Sequence, residues 1–433
     1  MVIISCSAAL PAGVGDEYPF GDMYTKQLSE AASSLPDLIR DQAPGHALAR
    51  AFYTDPGIFE QDLERMLFKH WFCAGHAASI PVAGDYLVVA LGDESIIVLR
   101  NAAGEIRALV NVCRHRGSRI CSAPSGRVGA GRLTCPYHAW TYDLDGHLLV
   151  AREMAEGFEE GRRRGDYSLR SLPVRVAEGL IFTTFATDPL DFAPAARGLA
   201  AAAGVHGWAT AKVAHRETYA INANWKLAIE NYMECYHCQP AHPEFSRRHV
   251  YARPARQGAA LERAGRARAE ALGIFIDDVD QYGAKALPGG ESVSVFRSVL
   301  SEGVVSATAD DQSIARLMGR FGAHDGNSTY FDIGPLSDFL AYADHGVIYR
   351  FAPRAVDRTE MEVIWLVDAE AVEGRDYDVE RLTWLWKVTS VEDKRIVEMN
   401  QAGINSRFFV PGPYSNQEPF ARRFVEWYLA ELA

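Results

Sequence analysis

The chain has 433 residues, 48% of them hydrophobic and 23% charged, with a formal net charge of −12. That balance excludes an intrinsically disordered chain and argues against nucleic acid as the main partner, because phosphate binding needs a basic footprint. No run of about 18 apolar residues exists to span a bilayer, "MVIISCSAALPAG" lacks the basic start of a signal peptide, and seven cysteines suit a reducing compartment, so a cytoplasmic location is expected.

Residues 50–75 predict a short helix, with Thr54 or Asp55 as its cap, Pro56 at its start and Phe59, Leu63, Leu67 and Trp71 on one face. From 84 to 186 the pattern is strand-like: "YLVVAL", "SIIVLR" and "IRALVNV" are short runs parted by turn residues, and 174–185 predicts a closing hairpin. Beyond about 205, strands ("VAHRETYAI", "HGVIYRFAP", "TEMEVIWLVD") mix with helices at 379–402 and at the C-terminal "FARRFVEWYLAEL". The expected class is α+β, a small all-β domain inserted in a larger helix-plus-antiparallel-sheet domain. The expected divisions are 1–45 for an N-terminal extension packing on the larger domain, 46–190 for the β domain and 191–433 for the larger one.

Two segments carry chemistry. In the β-rich part, Cys113-x-His115 and Cys135-x-x-His138 are separated by nineteen residues. Each pair offers one thiolate and one imidazole on a tight turn. In an iron–sulfur site two thiolates hold one iron and two imidazoles the other, which raises the reduction potential. A structural zinc could use the same four ligands, although zinc motifs typically keep their cysteine and histidine pairs separate. Ordinary core or surface residues are the third reading.

The second segment is "ENYMECYHCQPAHPEF". Cys235 and Cys238 have the spacing of a redox dithiol or half a zinc site. Without a thioredoxin-like setting, they read as small packing residues. His237 and His242, with Glu234 upstream, could hold a metal. Read singly, each histidine is a satisfied core residue and Glu234 a solvated one. Helical spacing would put Glu234 and His237 on one face, and Pro240 would then break the helix and free His242 from its phase.

Taken together, "CRHRGSRI…CPYHAWTYDLDG" and Asn231-x-x-Glu234-x-x-His237-x4-His242 resemble the two metal motifs of Rieske non-haem iron oxygenase alpha subunits. The resemblance spans nearly the whole chain from about residue 46. It implies a Rieske [2Fe–2S] cluster on Cys113, His115, Cys135 and His138. It also implies a mononuclear iron(II) on a facial triad of two histidines and a carboxylate, which leaves three sites free. The third ligand is expected from "VTSVEDKRIVEMNQ". There the helical pattern fits Glu392 about as well as Asp393, and the resemblance selects Asp393.

Two departures stand out. "GRVGAG" lengthens the gap between the ligand loops and reads as a longer hairpin, and Ala139 replaces a commoner glycine, tolerable at negative φ. Cys121 is expected to be a buried or free thiol.

The resemblance further implies a separate NAD(P)H-dependent flavin or ferredoxin reductase, and a homotrimer. Glu234 would bridge a cluster histidine of one subunit and an iron-ligating histidine of the next. "ENYMECYHC", "AHPEF" and the C-terminal "GINSRFFVPGPYSNQEPF" are most similar to the branch that N-demethylates betaines and other quaternary ammonium compounds. Ring hydroxylation is the enzymatic alternative; a Rieske electron carrier and a zinc-stabilised binding protein are the alternatives from other classes. Arginines at 162–164 and from 247 to 268 read as solvated surface, or as docking points for an acidic reductase.

Overall fold

The structure, a computed structural model, describes residues 34–154, 158, 163–250, 255–280 and 289–433. Most of the expected N-terminal extension, and Arg162, lie outside them. Helix Leu35–Asp41 falls in a unit of its own, apart from Gln42–Ala433.

The single helix expected over 50–75 is instead two short helices, Arg50–Thr54 and Pro56–Asp62, followed by a π-helical turn, Leu63–Leu67. Asp55 Oδ1 accepts from the Gly57 N–H at 2.7 Å, and Pro56 sits where a helix has no use for an N–H. Phe59, Leu63, Leu67 and Trp71 are all buried, as their spacing implied. Trp71 lies beyond the helix, because Phe72–His76 is recruited as a strand against Leu180–Thr183. That strand and Val174–Ala177 form the predicted hairpin.

The β domain has a five-stranded antiparallel sheet in the order Ser125–Arg127, Asp85–Leu91, Glu94–Arg100, Ile106–Val110, Ser171–Leu172. Beside it lies a three-stranded sheet of Leu133–Thr134, Thr141–Tyr142 and Leu148–Val150. Residues 85–91 alternate buried and half-buried, the mark of a strand with one face on the core. Ile97, Leu99 and Leu109 meet Trp140 and Tyr142 in that core. The longer hairpin expected at "GRVGAG" does not form. Ser125–Arg127 pairs with Asp85–Leu87 at one sheet edge, and a 3-10 turn at Gly129–Gly131 then carries the chain to the other sheet.

The larger domain is built on a seven-stranded antiparallel sheet. Its strands are β1 (Lys212–Ile221), β2 (Val279–Asp280), β3 (Val293–Val299), β4 (Asn327–Ile333), β5 (Ser337–Ala341), β6 (Gly346–Ala355) and β7 (Arg358–Val367), in the order β1-β7-β6-β5-β4-β3-β2. Side chains alternate between faces with period two. One cross-strand row, Val295–Phe331–Phe339–Ile348–Ile364, enters the main core with Trp71, Phe182 and Trp208. The adjacent row, Ser294–Asp332–Asp338–Tyr349, therefore points the other way.

Among the helices of the domain are α1 (Trp225–Met233), α2 (Val379–Ile404) and α3 (Pro419–Leu432). Asn224 caps α1 by accepting from Lys226 N–H, and Asp378 caps α2 by accepting from Arg381 N–H. The buried Lys226 ammonium pairs with Asp62, whose carboxylate also accepts from Trp225 Nε1 at 3.0 Å and Tyr428 Oη at 2.6 Å. Asp62, inside the 46–190 segment expected to be the β domain, is instead bound into the helices of the larger one. The β domain is thus an insertion within an α+β body, as the pattern implied. Among the described residues no helix is long and apolar enough to cross a membrane.

Candidate metal centres

The two Cys/His loops of the β domain close in the same way. Gly117 N–H donates to Cys113 O and Ala139 N–H donates to Cys135 O, each at 3.0 Å. Both closing residues are left-handed, Gly117 at φ 77° and Ala139 at φ 58°. Alanine at 139 would be tolerated at negative φ; the turn instead imposes the glycine-like conformation, at a steric cost to its Cβ.

The loops bring the four predicted residues together. Cys113 and Cys135 are buried, with their thiols side by side. The rings of His115 and His138 lie 4.7 Å apart at 73°. Burial pushes the Cys113 thiol up in pKa, and the Tyr142 hydroxyl 3.3 Å from its Sγ pulls the other way. Burial, then the charges of His138 and Arg116, hold His115 below the usual imidazole range, so it presents a neutral ring. His115 stacks on Trp140 at 4.9 Å and 7°, and its Nδ1 is buried without a hydrogen-bond partner among the described residues. Two neighbouring sulfurs and two adjacent imidazoles, one with an orphaned ring nitrogen, fit a mixed thiolate–imidazole cluster. Cys121 is a free, buried thiol that packs in the domain core.

In the larger domain, His237, His242 and Asp393 converge, each offering one donor atom within 4.8 Å of the others. Asp393 Oδ1 is 2.8 Å from His242 Nε2 and 3.4 Å from His237 Nε2. The opposite ring nitrogens are held from outside. His237 Nδ1 donates to Glu234 at 2.6 Å and His242 Nδ1 to Glu392 at 2.7 Å. A carboxylate on Nδ1 fixes the tautomer and leaves the Nε2 lone pair for a metal. Burial works against a charged ring at both histidines, yet Asp393 and Glu234 hold His237 up to about 9, and Asp393 and Glu392 raise His242. A field that attracts a proton to this spot also attracts a metal cation, so the donor set fits iron(II).

Local structure departs from expectation at three points. Helix α1 stops at Met233, so Glu234 is extended (φ −126°, ψ 162°) and not on a helical face with His237. It reaches the ring by a turn in which its carboxylate also accepts from the Tyr236 and His237 N–H groups. Pro240 breaks no helix: it lies inside the short helix Cys238–Ala241. Cys235 and Cys238, expected as packing residues, are joined by a disulfide, because the same turn sets their Cα atoms 4.8 Å apart.

The triad opens on a cavity lined by Tyr232, Phe245 and Trp386, with Asp332, Asp338 and Tyr349 on the sheet side. Sequence reasoning did not place Asp332 and Asp338. The signal was present in "DIGPLSD", since a turn at Gly334–Pro335 sets the two acids opposite each other. Arg248, within one predicted basic cluster, is buried against Asp311 at 2.7 Å and is no docking point.

Residues 70–173 match the Rieske [2Fe-2S] domain, and residues 208–433 match the ring hydroxylating alpha subunit (catalytic domain). The chain belongs to the Rieske non-haem iron oxygenases, whose cofactors are a [2Fe–2S] cluster and a catalytic iron, and it is an oxygenase alpha subunit. It is 35% identical to the glycine betaine monooxygenase oxygenase subunit of Pseudomonas aeruginosa PAO1, over 93% of this chain and 92% of that one. It is 38% identical to the carnitine monooxygenase oxygenase subunit of Escherichia coli K12, over 45% and 52%. A crystal structure of a quaternary ammonium Rieske monooxygenase with an inhibitor shares the fold, with a TM-score of 0.68 and 23% identity over 92% and 98% of the two chains. An oxygenase subunit implies a reductase partner.

Proposed function

We propose that the chain is the terminal oxygenase of a quaternary ammonium N-demethylase. In this reading Cys113, His115, Cys135 and His138 hold the cluster, and His237, His242 and Asp393 hold the iron. The observation that carries it is the convergence of those three donors on an aromatic cavity, since aromatic faces attract a methylated cation. The long match to a glycine betaine enzyme supports the same substrate class.

When bound, the iron supplies oxidation of a methyl C–H bond by dioxygen, with electrons from the cluster. The residues do the rest. Glu234 and Glu392 orient the two imidazoles from behind, while Tyr232, Phe245 and Trp386 wall the substrate side. Dioxygen, two electrons and two protons convert N–CH3 to N–CH2OH and water, and the carbinolamine releases formaldehyde and a proton to leave the tertiary amine. A flavin-containing, NAD(P)H-dependent reductase supplies the electrons. The oxygenase works as a homotrimer in which Glu234 links one subunit's iron site to its neighbour's cluster.

The test is turnover with a surrogate reductase and NADH against glycine betaine, carnitine and simple arenes. Formaldehyde in step with NADH oxidation is the expected result for the ammonium substrates. Hydroxylated arenes without formaldehyde would replace this reading with ring hydroxylation.

A further inference from the structure

Cys235 and Cys238 form a motif that neither metal centre uses. Their Cα atoms are 4.8 Å apart, and the Cys238 N–H donates to the Cys235 carbonyl at 3.3 Å, so one turn keeps both sulfurs within bonding reach. Such a pair can open and close by changes within the turn that carries it.

Its position points to what the pair is for. Both cysteines line the cavity that holds His237, His242 and Asp393. The Cys238 sulfur lies 3.9 Å from His237 Nε2, the ring nitrogen turned toward Asp393. Cys238 is buried and Cys235 half-buried, so the second sulfur is the more accessible one. The free cysteines of the described residues, Cys73, Cys113, Cys121 and Cys135, lie elsewhere, and none lines this cavity. Two electrons and two protons that reach dioxygen with no substrate in place yield hydrogen peroxide. Thiols reduce peroxide, and a neighbouring thiol turns the product into a disulfide that can be reversed.

We propose that Cys235 and Cys238 are a reversible dithiol that consumes peroxide formed at the iron site and so spares the ligand imidazoles. The inference rests on the ligand set proposed above and adds a second activity to the same cavity. One thiol takes an oxygen atom from hydrogen peroxide, becomes a sulfenic acid and releases water. The other thiol displaces that oxygen as a second water and closes the S–S bond. In sum, two thiols and one peroxide give one disulfide and two waters, with two electrons passing from sulfur to oxygen. A small thiol of the glutathione class reverses it by attacking the Cys235 sulfur. The Cys238 sulfur leaves and takes up the proton that the small thiol gave up. A second small thiol then attacks the mixed disulfide, frees Cys235 as a thiol and leaves as the oxidised dimer. The closed pair in the structure is the oxidised form of this cycle.

The experiment compares two samples of the iron-loaded oxygenase without reductase, one with the pair opened by glutathione under argon and one with the pair closed. Mononuclear iron is measured first. Each sample receives one equivalent of hydrogen peroxide, free thiols are labelled, and the peptides carrying residues 235–242 are weighed by mass spectrometry. The opened pair should lose both labels and form the disulfide, and fresh glutathione should restore both. The closed sample has no thiol left to react there, and its oxidation of His237 and His242 should be at least about threefold higher. A Cys235→Ala, Cys238→Ala double variant should behave as the closed sample does; if it fails to fold, the two wild-type samples decide the matter alone. A disulfide that glutathione cannot open, thiols that persist after peroxide, or equal histidine oxidation in both samples would overturn the proposal and leave the ligand set standing. Absence of mononuclear iron after loading would overturn both.

Discussion

Glu392 and Asp393, neighbours on α2, grip opposite nitrogens of one imidazole. Glu392 is 2.7 Å from His242 Nδ1 and Asp393 is 2.8 Å from His242 Nε2. On the proposed ligand set, adjacent acids would thus divide the work of a metal site, one at the metal edge of the ring and one behind it. Asp393→Ala should remove the mononuclear iron and leave the cluster intact. Glu392→Gln keeps a group that can accept from Nδ1–H, and should weaken iron about 10-fold to 100-fold without abolishing binding. Iron analysis alongside cluster absorbance checks both; iron retained in Asp393→Ala and lost in Glu392→Gln would exchange the two roles.

Glu234 stands behind His237 as Glu392 stands behind His242, and besides the cavity of the triad it borders a second one, shared with Tyr414 and Glu418. If that second cavity receives a neighbour's cluster, Glu234→Gln should retain iron and cluster while slowing cluster oxidation by at least about tenfold when substrate and dioxygen are mixed in. Stopped-flow absorbance of the pre-reduced protein measures it. Wild-type oxidation rates would remove Glu234 from the electron path.

What was legible in the sequence was what is local. The two Cys/His turns, the His237–His242 spacing and the long helices are each set by residues a few positions apart. The choice between Glu392 and Asp393 was not legible, because both lie on stripes with apolar neighbours. Only the fold shows that Met399, on the Glu392 stripe, is 63% exposed, whereas Trp386 and Thr389 line the cavity with Asp393. The break after Met233 was hidden because "ENYMECYH" has no helix-breaking residue; the Glu234 side chain ends the helix by capping the turn. Asp332 and Asp338 face each other across the one turn in "DIGPLSD", but their place on the cavity side needs the register of the whole sheet, which composition cannot supply.

Ala139 offers a test of backbone cost. At φ 58° its Cβ is strained, and the equivalent position in the other ligand loop is Gly117. Ala139→Gly should therefore stabilise the β domain by about 1 kcal/mol. Ala139→Val, a β-branched residue in the left-handed region, should impair cluster retention. Urea titration followed by cluster absorbance reads both changes, and a destabilised glycine variant would mean that the left-handed turn is not what limits this loop.

His70 gives the pH dependence a sign. It is buried, with Nδ1 2.8 Å from Glu291 Oε1, and the Glu291 carboxylate also accepts from the Trp71 and Ser292 N–H groups at 2.7 and 2.8 Å. Burial alone would lower its pKa; the charge of Glu291, with help from Glu431, overcomes that and holds it up to about 9. A folded value above the unfolded one, about 6.5, means the imidazolium contributes its full stability below about pH 6.5. That contribution, roughly 3 kcal/mol from the size of the shift, is lost as the pH rises through about 9. His70→Gln can still donate to Glu291 but carries no charge at any pH. The urea midpoint of the wild type should therefore fall between pH 6.5 and 9.5 by clearly more than that of the variant, and parallel curves would show that the His70–Glu291 pair does not set this pH dependence.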